Sequence, residues 1–301
     1  MRRIAWLTAF PSFDVQPQYK ALKSELDKLG WVDGRNAEFL ELRSAEGRTD
    51  RLPALAAELV RASPDVIVVQ SAPATRAAMA ATTAIPLVMN GVGDPVNYGI
   101  AKSYTEPGGN VTGASYLVNE STKKTLELLK EIAPPITSVV NFINPTNEAA
   151  APGLADLRAA AQVLRVRIDP VEVKTAADFD AAFASIVSHR SESILLWPEA
   201  LVRSQRMRIG RFAAEHRLPL AIVGGPTLLD AGGLLTYGPA TAQYSILVAR
   251  YVDRVLRGAN PAKLPIEQPT KFELGISVVS AKALGIEIPA SVLARADEVI
   301  R

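Results

Sequence analysis

Residues 65–96 read DVIVVQSAPATRAAMAATTAIPLVMNGVGDPV, and the fold can be read most directly from this segment. Two apolar runs, 65–70 and 85–90, flank an alanine-rich segment of helical character. A strand, a helix and a second strand in this order predict a parallel β-α-β unit. Neither run alternates with polar residues, which predicts that helices cover both faces of the sheet.

The run IAWLTAF (4–10) begins the same kind of unit at the start of the chain. The helix that follows it has an apolar face made of Tyr19, Leu22, Leu26 and Leu29, which recur at helical spacing. We therefore expect this helix to pack against the sheet that contains 4–10.

A second series of strands and helices begins at SVVNFINPTNE (138–148) and includes SILLWPE (193–199). The order repeats that of the first series, so the predicted fold class is α/β, with two doubly wound parallel-sheet lobes joined by a hinge. We expect an N-terminal lobe at 1–113 and a C-terminal lobe at 114–236. Residues 237–301 are expected to return, completing both lobes and the hinge.

Composition excludes several classes of protein. The 301 residues are 48% hydrophobic and carry a net charge of +2, so a large core is expected and a nucleic-acid partner is not. One basic cluster, Arg203, Arg206, Arg208 and Arg211, has helical spacing without interleaved aromatic residues and is interpreted as a solvated helix face. We expect no nucleic acid among the partners.

The absence of cysteine excludes disulfides, thiol nucleophiles and cysteine-ligated metals. We expect no metal and no cofactor. No apolar run is long enough to span a membrane, and the N-terminal run is shorter than the apolar region of a signal peptide. If the protein is exported, we expect its signal peptide to be absent from this numbering.

Ligands of open parallel sheets bind beyond the carboxyl ends of the strands, where loops and helix N-termini converge. Polar and aromatic residues follow several of the predicted strands, and we interpret them as a binding site for a small ligand. The predicted ligand-binding residues are Phe10, Ser12, Phe13, Gln70, Ser71, Ala74, Thr75, Asn90, Gly93, Asp94, Tyr116, Asn144, Asn147, Glu148, Trp197, Pro198, Glu199 and Gly224.

Both histidines, His189 and His216, lie between a helix and the next strand, at the opposite edge of the predicted sheet, where we interpret them as helix C-terminal residues. No hydrolase elbow or HExxH motif occurs, so neither a Ser-His-Asp triad nor a zinc site is predicted. We predict no catalytic residues. An enzyme that uses only carboxylates, Asp94 and Glu199, is a remaining alternative.

Several of the predicted residues have a second, structural interpretation. Asp94 precedes a proline, so it can serve as a turn or helix cap or can face the ligand. Trp197 ends a buried strand and can belong to the core or form a wall of the site. Ser71 is expected to begin a helix whose free N–H groups could meet an acid group of the ligand.

Many ordered segments of the chain resemble one known family. Five of them are LGWVDGRN (29–36), IPLVMNGVGDPV (85–96), TEPGGNVTGAS (105–115), DAGGLLTYGP (230–239) and the long segment 251–286. Together they resemble the substrate-binding proteins of ABC importers, a family that includes tryptophan- and tyrosine-type binding proteins. The resemblance implies a type I periplasmic-binding fold with three crossovers, a ligand held between the lobes and hinge closure.

This resemblance also implies a periplasmic or otherwise extracytoplasmic protein that docks transiently on a membrane permease. We therefore expect a non-enzymatic solute receptor that acts as a monomer. Its aromatic residues favour a small organic ligand such as an aromatic amino acid or a related acid. A ligand-sensing module of a regulatory system is the alternative, since such a module can use the same fold.

Overall fold

The computed structural model describes residues 1–301 and contains thirteen strands. Most of the long strands coincide with apolar runs of the sequence. The strands are β1 (Arg2–Thr8), β2 (Ala37–Phe39), β3 (Arg43–Ser44), β4 (Val66–Gln70), β5 (Leu87–Val92), β6 (Val111–Ser115), β7 (Ser138–Ile143), β8 (Arg167–Glu172), β9 (Ile194–Leu196), β10 (Leu220–Val223), β11 (Leu235–Pro239), β12 (Phe272–Ser277) and β13 (Glu298–Ile300).

Eleven α-helices connect or follow these strands, together with three short 3-10 helices at Thr49–Arg51, Pro226–Ala231 and Pro261–Lys263. The α-helices are α1 (Ser12–Lys28), α2 (Leu52–Arg61), α3 (Ala72–Ala81), α4 (Val118–Ile132), α5 (Ala150–Val163), α6 (Asp178–Ser188), α7 (Ala200–Ser204), α8 (Arg206–Glu215), α9 (Thr241–Leu256), α10 (Val278–Leu284) and α11 (Ala290–Leu293). None of them is both long enough and apolar enough to cross a lipid bilayer.

The chain divides into two compact units. Unit 1 consists of Met1–Leu117 and Ala240–Thr270, and unit 2 consists of Val118–Pro239 and Lys271–Arg301. The chain therefore passes three times from one unit to the other. The sequence analysis placed the lobe boundaries after residues 113 and 236. That division stays a prediction.

Unit 1 contains a six-stranded sheet in the order β2-β1-β4-β5-β6, with β3 also paired to β1. Every pair in it is parallel. The predicted β-α-β unit corresponds to β4, α3 and β5. Strand β4 is buried along its whole length, as its near-continuous apolar run predicts.

Helices α1 and α9 cover one face of this sheet and form its core with β1 and β4. The indole of Trp6 and the side chains of Leu22, Leu26 and Val252 are buried there. Tyr19 and Leu29 pack at the edge of the same cluster, so the apolar face predicted for α1 is confirmed.

Unit 2 contains a seven-stranded sheet in the order β13-β12-β11-β10-β9-β7-β8. Its strands are parallel except for the antiparallel pair β11 and β12. Phe142, Phe179 and Ile222 lie in its core. The predicted fold class, an α/β protein with two lobes built on largely parallel sheets, is confirmed.

The sequence predicted a solvated helix face for the basic cluster Arg203, Arg206, Arg208 and Arg211. One residue of this cluster, Arg206, is buried. The helical path breaks at Gln205, between α7 and α8, so that Arg206 begins a new helix and its side chain is buried. Its Nη2 lies 2.9 Å from Asp230 Oδ2, and its Nε donates to Asp230 Oδ1. Helical spacing alone predicted one continuous exposed face and could not reveal this break.

Gly210 of α8 allows a close approach of two backbone segments. A Cβ atom at this position would lie 1.7 Å from the carbonyl oxygen of Ala231. Because that neighbour is backbone, it cannot move aside as a flexible side chain would. The glycine is therefore required for α8 to pack against the 3-10 helix Pro226–Ala231.

We predict that Gly210→Ala lowers the free energy of unfolding by about 2 kcal/mol, because overpacking outweighs the better helix propensity of alanine. Urea unfolding monitored by circular dichroism measures this change. Arg211→Ala, at the exposed neighbouring position, should change the free energy of unfolding by less than about 0.5 kcal/mol. A Gly210→Ala protein as stable as the wild type would contradict the packing described.

Candidate functional site

In unit 1 the carboxyl ends of four parallel strands lie at one edge of the sheet. These ends are Thr8 of β1, Gln70 of β4, Val92 of β5 and Ser115 of β6. Eleven of the predicted ligand-binding residues belong to these strand ends or follow them. They are Phe10, Ser12, Phe13, Gln70, Ser71, Ala74, Thr75, Asn90, Gly93, Asp94 and Tyr116.

A chain of hydrogen bonds links the ends of β1, β4 and β5. Thr8 Oγ1 donates to Gln70 Oε1 at 3.2 Å, and Gln70 Nε2 donates to Gln18 Oε1 at 2.8 Å. Asn90 Nδ2 approaches the same oxygen of Gln18 at 3.5 Å. Thr8, Gln70 and Asn90 are all buried, so these bonds satisfy groups that water does not reach. Gln18, on α1, was not among the predicted site residues.

Ser71 joins β4 to α3 in an unusual backbone conformation. Its φ is +89°, which is uncommon for any residue other than glycine. Its Oγ accepts from Ala74 N at 3.3 Å, and its carbonyl oxygen accepts from Thr75 N at 3.1 Å. The expected helix start at Ser71 is therefore confirmed, and the strained residue lies at the carboxyl edge of the sheet, where functional strain is often found.

Strand β5 is irregular where it reaches the same edge. The pairing with β6 shifts register between Asn90 and Val92, a bulge that redirects the side chains on either side. Gly91, within the bulge, has a φ of +76°. A Cβ there would lie 3.3 Å from the hydroxyl of Tyr244, which donates to the carbonyl oxygen of Ser115 at 2.8 Å.

The carboxylate of Asp94 stabilises its own turn. Oδ1 accepts from Asn97 N at 3.1 Å, and Oδ2 accepts from Asn97 Nδ2 at 2.5 Å. The hydroxyl of Tyr104 approaches Oδ1 at 3.4 Å. Burial, with the charge of Asp94 nearby, raises the pKa of Tyr104. Asp94 thus has the turn role that the sequence allowed, and its contact with a ligand stays a prediction.

The aromatic candidates that follow β1 differ in exposure. Phe10 is half-buried against the core of unit 1, whereas Phe13, on the first turn of α1, is exposed over 53% of its surface. Ser12 begins this helix, and its N–H donates to Glu46 Oε1 at 2.9 Å. Phe13 is therefore a largely exposed aromatic side chain that follows the carboxyl end of β1.

In unit 2, the other seven predicted residues follow β7, β9 and β10. They are Asn144, Asn147, Glu148, Trp197, Pro198, Glu199 and Gly224. Asn147 Oδ1 accepts from Ala149 N at 3.1 Å, which stabilises the turn before α5. Gly224 has a φ of +151°, and a Cβ there would lie 2.4 Å from Leu228 Cδ1. The three strand ends belong to neighbouring strands of one parallel stretch of the sheet.

Glu199 is a buried carboxyl group at the N-terminus of α7. Its exposed fraction is 4%; its Oε2 accepts from Val202 N at 3.0 Å, and its Oε1 accepts from Asn144 Nδ2 at 3.3 Å. Asn144 Oδ1 accepts from Thr146 N and Oγ1, which fixes the orientation of the amide. Burial raises the pKa of Glu199 because desolvation outweighs these hydrogen bonds.

Trp197 lies in a small apolar cluster with Ile143 and Ala150, and 7% of its surface is exposed. Its ring lies directly against Gly153 of α5. A Cβ at Gly153 would lie 2.1 Å from Trp197 Cη2. The indole is thus packed as the core interpretation predicts. The ring can lie at the end of β9 because Gly153 has no side chain there.

The two histidines lie where the sequence predicted. His189 follows the last residue of α6, and His216 follows the last residue of α8. Neither is at the carboxyl edge of a strand. No group of three or more His, Asp or Glu side chains is arranged to hold a metal ion.

Comparison with known proteins identifies the family. A family model described as ABC transporter substrate binding protein matches residues 10–300, so the chain belongs to that family. These proteins bind small ligands, act outside the cytoplasm with an ABC permease, and are not enzymes. The expected family is thereby confirmed.

Three relatives illustrate the likeness. A tyrosine-binding protein of Clostridioides difficile (strain R20291) is 26% identical over 285 residues, which cover 94% of this chain and 80% of the relative. A conserved domain protein of Vibrio cholerae has a TM-score of 0.91 at 27% identity, with 99% of both chains covered. An ABC domain of Streptococcus pneumonia, solved in complex with L-Trp, has a TM-score of 0.90 at 21% identity over 99% of both chains. The solved relatives have periplasmic-binding-protein folds.

Gly153→Ala is predicted to displace the indole of Trp197, because the added methyl group would overlap the ring. Acrylamide quenching of tryptophan fluorescence should increase as the ring becomes more exposed. Ala159→Ser, on the exposed face of the same helix, is the control and should leave quenching unchanged. The Gly153→Ala effect must also vanish in a Trp197→Phe background; if it persists there, Trp197 is not its source.

Glu199→Gln is predicted to become progressively more stable, relative to the wild type, as pH rises above the ordinary Glu pKa of 4.5. The raised pKa in the folded state means that ionising Glu199 costs stability, so stability present at low pH is lost as pH rises through that pKa. The difference in unfolding free energy can grow by at most about 1.4 kcal/mol for each pH unit.

Urea unfolding at pH values from about 4 to 8 measures this difference, with Glu172→Gln as the control at an exposed position of unit 2. The comparison concerns the slope with pH, so a constant offset from a lost hydrogen bond does not matter. A difference that stays flat across this range would contradict the described environment of Glu199.

Proposed function

We propose that this protein is the solute receptor of an ABC importer, and that its solute is an aromatic amino acid or a related acid. The observation that carries the proposal is the collection of oriented polar groups and aromatic rings that follow the strands in a member of this family. Burying a polar group without a partner costs about 1 to 3 kcal/mol, so such groups discriminate among solutes by their hydrogen-bonding pattern.

Aromatic residues lie beside the polar groups in both units. Phe10, Phe13 and Tyr116 accompany the polar groups of unit 1, and Trp197 accompanies those of unit 2. Rigid rings favour a flat or apolar solute group. The name of the C. difficile relative and the L-Trp complex of the Streptococcus structure agree with a solute of this kind.

An amino acid also carries an ammonium and a carboxylate group, and unit 1 has groups suited to each. A carboxylate has about four acceptor positions, of which Asp94 uses three for Asn97 and Tyr104. We therefore propose that the remaining acceptor position of Asp94 takes a hydrogen bond from the ammonium group of the solute. The N-terminus of α3, which Ser71 begins, suits the carboxylate of the solute because helix N-termini favour anions.

The remaining steps of the proposal are those of a transport receptor. The solute is held by residues of both units, and hinge closure at the segments that join them removes water from the solute. The closed form docks transiently on its permease in the membrane. We propose a monomer that works in the periplasm or elsewhere outside the cytoplasm and has no nucleic-acid partner.

We predict that L-tyrosine or L-tryptophan raises the melting temperature of the purified protein by several degrees. A solute present at 100 times its dissociation constant contributes about 2.7 kcal/mol, which is enough for such a shift. Differential scanning fluorimetry measures the shift, and mass spectrometry of the bound fraction should recover the amino acid unchanged.

L-alanine and myo-inositol are the matched control solutes, since the first lacks the aromatic ring and the second lacks both charged groups. Neither should stabilise the protein to the same degree. A larger shift with the polyol than with the aromatic amino acids would contradict the proposed solute class. Chemical conversion of the bound amino acid would contradict the receptor function.

A further inference from the structure

Helix α1 brings Gln18 to the ends of two neighbouring strands. Its half-buried side chain has a single amide oxygen, Oε1. This oxygen accepts a hydrogen bond from Gln70 Nε2 at 2.8 Å and is approached by Asn90 Nδ2 at 3.5 Å. Both donors belong to buried side chains. Gln18 Oε1 thus closes a small amide cluster, defined here as Gln18, Gln70 and Asn90.

The direction of the hydrogen bonds in this cluster follows from a backbone group. Phe10 N–H can only donate, and it donates to Thr8 Oγ1 at 3.1 Å. Thr8 is fully buried, so its own O–H requires an acceptor, and Gln70 Oε1 at 3.2 Å supplies one. The Nε2 of Gln70 must therefore face Gln18, and it donates to Gln18 Oε1.

The amide of Gln18 is oriented by its hydrogen bonds in the same way. Its oxygen accepts from Gln70 and Asn90, so its Nε2 faces away from these two donors and takes part in neither hydrogen bond. Hydrogen bonds aligned in one direction polarise one another, which strengthens the donor at the end of the chain. The end of this chain is the N–H group of Gln18 at the carboxyl edge of the sheet.

We propose that Gln18 is a specificity-determining residue whose Nε2 donates a hydrogen bond to an acceptor oxygen of the solute, the carboxylate in the case of an amino acid. This inference rests on the proposed function and adds a residue that the strand-end rule did not include. The cluster presents a donor and not an acceptor, so it selects against solutes that place an N–H group at this position.

Two substitutions can separate the proposed role of Gln18 in solute recognition from a purely structural role. Glutamate at position 18 keeps oxygens that accept from Gln70 and Asn90, so the cluster retains its internal hydrogen bonds. The same substitution replaces the outward N–H group with an oxygen that carries negative charge. Gln18→Glu therefore tests recognition, while Gln18→Ala also removes the acceptor on which the cluster depends.

Isothermal titration of L-tyrosine into the wild type, Gln18→Glu and Gln16→Glu is the decisive experiment. Gln16 is exposed and lies two residues earlier on the same helix, so it controls for the added charge. We expect Gln18→Glu to weaken L-tyrosine binding by about tenfold or more, since a donor is lost and a repulsion is introduced. Gln16→Glu should bind within about twofold of the wild type.

Tyramine, which lacks the carboxylate of tyrosine, distinguishes the two roles. Its affinity should change by less than about threefold in Gln18→Glu, because it offers no carboxylate to the substituted group. Equal loss of tyramine and L-tyrosine binding would assign Gln18 a structural role and overturn the inference. Unchanged L-tyrosine binding in Gln18→Glu would overturn it as well.

Failure of the underlying function has a different signature. If the wild type binds neither L-tyrosine nor L-tryptophan, the proposed solute class is wrong, and the role of Gln18 toward a carboxylate fails with it. If the wild type binds L-tyrosine and only the dependence on Gln18 is missing, the function stands and this inference alone is wrong.

Discussion

Every strand pair of the first sheet is parallel, so the carboxyl ends of β1, β4, β5 and β6 lie at one edge. Segments far apart in the chain therefore deliver their polar residues to the same place. The same constraint acts within unit 2, where β7, β9 and β10 are parallel neighbours. The parallel pairing therefore places the candidate residues that follow these strands at the strand ends. Ligands of open parallel sheets bind beyond such strand ends.

Burial then determines how these residues behave. Gln70 and Asn90 in unit 1, and Asn144 and Glu199 in unit 2, are polar side chains that water barely reaches. Each is oriented by hydrogen bonds with its neighbours, and breaking such a bond in a buried setting costs about 1 to 3 kcal/mol. The polar groups are therefore fixed in direction, which would reduce the ordering cost of binding the proposed solute.

Much of the fold could be predicted from the sequence because the unbroken apolar runs, such as 66–69, leave few alternatives to a buried strand. The site was only partly accessible in the same way. Gln18 lies within an amphipathic helix, and its spacing does not distinguish it from the exposed Gln16. The buried Arg206 pairs with Asp230, which is distant in sequence, so local helical spacing could not reveal this contact. The cap that Asp94 forms with Asn97 was a local signal, and the sequence allowed it.

The proposed function requires one aromatic amino acid to bind at the strand ends of both sheets. A crystal structure of the protein grown with L-tyrosine tests it most directly. We expect the amino acid to contact side chains that follow β4 and β5 in unit 1 and β7 and β9 in unit 2. Tyrosine bound elsewhere, or contacts confined to a surface away from these strand ends, would contradict it.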